Sequence, residues 1–118
     1  MPNFQWLTYE GKRVLLLDFS ERSAKRVEEL AREVQQIITA QPPGSVLVLA
    51  DFTGASITGD ALRAIAKAAA ANRRYVARTA WVSVNLSEAR FMAFKDVAGR
   101  EIHRFASRED GLRFLTSD

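Results

Sequence analysis

The run Val46-Leu47-Val48-Leu49-Ala50 has the apolar, β-branched character of a buried strand. It leads into Asp51-Phe52-Thr53-Gly54, and Thr58-Gly59-Asp60 then opens an alanine-rich helix. Thr53, Ser56, Thr58 and Asp60 therefore crowd one loop at a helix N-terminus. Unpaired backbone N–H groups and the helix dipole favour anions there. These four residues are the candidate regulatory or phosphoacceptor loop. Each hydroxyl also has an ordinary use as a helix cap or a loop hydrogen-bonding group.

Other reactive chemistry is sparse. The sequence has no cysteine and a single histidine, His103, which falls in a predicted strand. No Gly-x-Ser-x-Gly elbow or glycine-rich phosphate loop occurs, so nucleophilic catalysis and nucleotide binding by those routes are unsupported. Asp18, Asp51 and Asp60 could offer three oxygen donors to Mg²⁺, but such residues more commonly make Asx-turns and helix starts. Asn85-Leu86-Ser87 reads as a loop and a cap. No catalytic residue, metal site or cofactor is assigned, and the chain is read as a non-enzyme.

The helix after Ser87 carries a second kind of signal. At 100° per residue, Leu86, Ala89, Ala93 and Val97 predict a buried stripe. Phe91, Phe94 and Ala98 widen the apolar arc, and Met92 flanks it. One docking face needs less than this, so Phe91, Met92 and Phe94 are candidate contacts for a partner protein, a second copy, or a lipid or small apolar ligand. Arg90, Lys95 and Arg100 nearby would suit phosphate headgroups. The competing reading packs all three large side chains into the core.

Composition narrows the classes. A chain of 118 residues, 47% hydrophobic and 26% charged, is globular and long enough for one domain spanning residues 1–118. The net charge is +3, from 17 basic and 14 acidic residues. Positive charge concentrates at Arg73-Arg74 with Arg78 and at Arg100, Arg104 and Arg108. These clusters read either as solvated helix ends and strand edges or as an anion-binding patch. A nucleic-acid binder would show a larger excess with interleaved aromatics, so no nucleic-acid partner is expected. The N-terminal residues lack the basic start and long apolar run of a signal peptide, and no segment suits a stable membrane span. A soluble cytoplasmic protein is expected.

The elements that must position these residues follow from periodicity. Phe4–Tyr9 and Arg13–Phe19 predict a hairpin across Glu10-Gly11-Lys12. A helix is expected from residues 20–23 to Ala40, stopped by Pro42-Pro43-Gly44. Strand Val46–Ala50, a helix from Gly59 to Ala71, strand Thr79–Val84, a helix from Ser87 to Ala98, strand Glu101–Phe105 and a helix capped by Ser107 complete the chain. The order ββαβαβαβα predicts an α/β fold with a single mixed, mostly parallel sheet. Val14–Asp18 and Val46–Ala50 would be its central strands. The segments Leu17-Asp18-Phe19-Ser20 and Ala50-Asp51-Phe52-Thr53 echo each other, placing both aspartates at the carboxyl edge, where open α/β sheets bind ligands.

This pattern resembles the SpoIIAA-like branch of the STAS superfamily, related to anti-sigma-factor antagonists. The carriers are Tyr9-Glu10-Gly11-Lys12, the helix ending before Pro42-Pro43-Gly44, the run Val46–Gly54, Asn72-Arg73-Arg74-Tyr75-Val76, and Gly99-Arg100. The resemblance covers nearly the whole chain and implies a regulatory or protein-interaction module. Regulatory members carry an Asp-Ser-Ser-Gly sequence whose serine is phosphorylated. Here the matching stretch is Thr58-Gly59-Asp60-Ala61, which lacks that serine.

Overall fold

The computed structural model describes residues 3–99 and 102–117. Strands β1 (Phe4–Tyr9) and β2 (Lys12–Asp18) form an antiparallel hairpin in which Tyr9 faces Lys12. Only Glu10 and Gly11 separate them, with φ of 50° and 78°. Positive φ at both central residues matches the right-handed strand twist, which is why a tight hairpin forms here. Helix α1 (Ala24–Ile38) follows, then β3 (Val46–Asp51), α2 (Gly59–Asn72), a 3₁₀ turn (Arg73–Tyr75), β4 (Val76–Val82), α3 (Glu88–Ala98), β5 (His103–Phe105) and α4 (Arg108–Thr116).

The fold is α/β; among the described residues there is a single five-stranded mixed sheet in the order β1-β2-β3-β4-β5 and four α-helices. All pairings after the first hairpin are parallel. The parallel strands advance steadily in one direction, and right-handed crossovers then place every connecting helix on the same face. Leu15, Leu17, Val48, Ala50 and Trp81 accordingly join buried residues of α1, α2 and α3 in one core cluster. The alternate side chains Val14, Leu16, Leu49, Ala80 and Val82 form a second cluster with Leu115 of α4. Burial on both faces explains the nearly continuous apolar runs of β2 and β3.

Each α-helix is started by a hydroxyl. Ser23, Thr58, Ser87 and Ser107 accept hydrogen bonds from the N–H groups of Arg26, Ala61, Arg90 and Asp110 at 3.2–3.3 Å. In α1, Val27, Leu30, Ala31, Val34 and Ile38 make one buried stripe, each Val or Leu contributing about 1.5–3 kcal/mol on full burial. Gly99, at φ 67°, closes α3 in the left-handed conformation. Gly111 serves another purpose: a Cβ there would lie 2.7 Å from Leu49 Cδ1, so its bare backbone lets α4 sit directly on the sheet.

Several expectations shift. Helix α1 begins at Ala24, because Ser20 turns back onto Asp18 and Ser23 is the cap. Strand β4 starts at Val76, three residues before the predicted Thr79, since the 3₁₀ turn ends α2 abruptly. Strand β5 is His103–Phe105, and the predicted Glu101 start lies outside the described residues. The expected buried stripe of α3 is corrected. Phe91, Phe94 and Ala98 are buried, whereas Ala89, Ala93 and Val97 face outward. Two aromatic rings remove far more apolar surface from water than alanines and a valine, and they set the rotation of the helix.

Candidate functional site

The parallel register sets Asp18 beside Asp51 at the carboxyl edge. Each aspartate closes the turn that follows its own strand. Asp18 Oδ1 accepts from the N–H and O–H of Ser20, and Asp51 Oδ1 accepts from the N–H and O–H of Thr53 at 2.9 and 2.6 Å. Between them, the rings of Phe19 and Phe52 stack 4.9 Å apart and 8° from parallel. Two segments alike in sequence thus make the same turn on neighbouring strands.

Arg108, the first residue of α4, reaches across this edge. Its Nε donates to Asp51 Oδ2 at 2.6 Å, and Nη2 lies 3.7 Å from Asp18 Oδ1. Burial pushes the Asp51 carboxyl toward higher pKa. The side-chain and backbone donors of Thr53, together with Arg108, outweigh that effect and hold it below its ordinary value of 3.8. The carboxylate is thereby fixed as an anion and already satisfied.

The loop holding the four candidate residues lies immediately beyond. Thr53, Ser56, Thr58 and Asp60 are all exposed between β3 and the first turn of α2. Thr53 donates its O–H to Asp51, Thr58 caps α2, and Asp60 pairs with Arg63. Ser56 is tied through its backbone, its N–H donating to Arg22 O at 3.1 Å. Asp60 is thus engaged on α2, while Asp18 and Asp51 share Arg108. Among the described residues no group of three or more His, Cys, Asp or Glu could hold a metal ion.

The aromatic candidates divide. Phe91 and Phe94 are 5% and 3% exposed, with ring centroids 5.6 and 4.7 Å from that of Trp81. Trp81 packs in turn on Phe52, joining α3 to the Phe19–Phe52 stack. Met92 is 50% exposed, and Val97, at 67%, is the more exposed of the two.

The arginine clusters are largely used within the fold. Arg78 Nη1 donates to Phe114 O and Ser117 O at 2.9 Å, satisfying carbonyls at the end of α4. Arg104 lies over the Phe91 ring at 4.2 Å and pairs with Glu88. Arg100 lies outside the described residues. His103 is exposed, its ring 4.6 Å from that of Phe114.

Sequence reasoning missed an open concavity over α2. Helix α2 lies between α1 and α3, and its outward positions Ala70 and Ala71 carry almost no side chain. The result is an open groove of about 1270 Å³, bordered by Arg32 on one side and Arg90, Ala93 and Val97 on the other. Its rim holds four cationic residues, Arg32, Arg63, Lys67 and Arg90, against Glu28 and Asp60. Arg32 pairs with Glu28 and Arg63 with Asp60, leaving Lys67 and Arg90 with no carboxylate partner among the described residues. The signal lies in the alanine run of α2: Ala70 and Ala71 fall at outward positions, where small side chains leave a trough between larger neighbours.

The chain matches no protein-family model and no curated protein. Among the described residues, no helix is long and apolar enough to cross a membrane.

Proposed function

We propose that this chain is a non-catalytic regulatory or protein-interaction module of the SpoIIAA-like, anti-sigma-factor-antagonist-like kind. Its contact surface is the groove over α2. The observation carrying this reading is the groove itself: an alanine floor, an exposed Val97 wall, and Lys67 and Arg90 without a carboxylate partner among the described residues. The occupant that fits is a protein presenting an apolar ridge flanked by carboxylates.

The topology supports a non-catalytic role. Parallel strands added in one direction create no reversal of strand order, the feature that opens a ligand crevice in doubly wound sheets. At the carboxyl edge Asp18 and Asp51 are already engaged by Ser20, Thr53 and Arg108. The alternative, a lipid or small apolar ligand near α3, is less well supported. The cavity beside Trp81 is about 40 Å³, whereas ligand pockets span roughly 300–1,000 Å³, and the larger groove along α3 is open to solvent rather than enclosing.

The test begins with tagged wild-type protein and the double variant Ala70→Asp/Val97→Asp, whose new carboxylates would face those of the occupant, in a lysate of the source organism. A retained protein is then purified and titrated against both. The variant should keep its thermal midpoint and lose affinity at least about tenfold, since a charge buried without a partner costs several kcal/mol. Equal affinity for both forms would overturn the groove assignment. Self-association of the wild type, lost in the variant and seen by light scattering on dilution, would replace the foreign partner with a second copy.

A further inference from the structure

Within the main core, Leu17, Val48, Ile65, Trp81 and Ile102 help enclose a cavity of about 40 Å³. Two polar side chains also line it: Asn72, the last residue of α2, and Thr79 of β4. Both are 2% exposed, and among the described residues neither Asn72 Oδ1 nor Thr79 Oγ1 has a hydrogen-bond partner. A buried polar atom left without a partner forfeits its hydration with nothing in exchange, so two in one cavity require an explanation.

We propose that this cavity is an internal hydration site, in which one or two waters bridge Asn72 Oδ1 and Thr79 Oγ1. The chemistry of the pair is complementary to water. The amide oxygen only accepts, so a water donates to it, while the threonine hydroxyl can both donate and accept. The volume is also suitable: a buried water needs at least about 10–15 Å³ of such space and two to four polar partners. An apolar ligand would leave both oxygens unpaired. The site links the end of α2, the middle of β4 and the segment leading into β5, so its water belongs to the packing of α2 on the sheet.

Two measurements test this. A high-resolution crystal structure should show ordered density within hydrogen-bonding distance of both oxygens. Oxygen-17 relaxation dispersion should count at least one long-lived internal water fewer in Thr79→Val than in wild type, with Thr79→Ser retaining it. The serine variant and the wild-type density keep the test decisive if Thr79→Val fails to fold. A direct Thr79–Asn72 hydrogen bond, a cavity without ordered density that takes up xenon, or an unchanged water count in folded Thr79→Val would each overturn the proposal.

Discussion

Arg108 Nε and Asp51 Oδ2 lie 2.6 Å apart, although 57 residues of chain separate them. The pair ties the first turn of α4 to the carboxyl end of β3. Asp51 is almost fully buried and Arg108 is 44% exposed at its side chain, so the contact is part core and part surface. Nothing local in either segment announces the other. Asp51 is positioned by Thr53, and Arg108 follows the Ser107 cap.

Removing the guanidinium should make acid stability measurably different. The Asp51 pKa is lowered by folding, so its ionised form contributes stability above the unfolded value of 3.8. That contribution disappears as pH falls through the still lower folded value. Arg108→Met should therefore cost about 1–2 kcal/mol at pH 7, discounted for the exposure of Arg108, with the difference shrinking toward pH 3. Urea denaturation of both proteins across this range provides the measurement. A deficit that stayed constant with pH would assign the effect to packing instead.

Substitution of Gly111 should separate helix propensity from packing. Replacing a helical glycine by alanine ordinarily gains about 1 kcal/mol. Here the new methyl would meet Leu49 Cδ1 at 2.7 Å and Ala80 Cβ at 3.4 Å. Gly111→Ala is expected to give no stabilisation, and Gly111→Val to lose about 2 kcal/mol by overpacking. Thermal and denaturant unfolding would read both. A stabilised Gly111→Val would mean that α4 can lift from the sheet without loss.

Thr58 is expected to behave as a cap rather than as a phosphoacceptor. Its Oγ1 accepts from Ala61 N–H at 3.2 Å. Thr58→Ala should cost about 1 kcal/mol, and Thr58→Ser much less. Incubation with an active anti-sigma kinase should leave the intact mass unchanged. One added phosphate mapped to Thr58 or Ser56 would return the loop to a switching role.

The sequence by itself determined the elements. Periodicity set the stripe of α1, hydroxyl caps marked the starts of α2, α3 and α4, and Glu10-Gly11-Lys12 marked the hairpin turn, because these are interactions among near neighbours. The echo of Asp18-Phe19-Ser20 in Asp51-Phe52-Thr53 placed both aspartates at one edge, since parallel register carries like segments side by side. Only the tertiary structure decided which side of α3 is buried: two apolar stripes competed, and contact with Trp81 selected Phe91 and Phe94. It likewise decided that Arg78 and Arg108 serve the ends of α4, and that the outward alanines of α2 make the floor of a groove. Those outcomes depend on groups distant in the chain, whose approach is fixed by the packing of helices on the sheet and not by any local spacing.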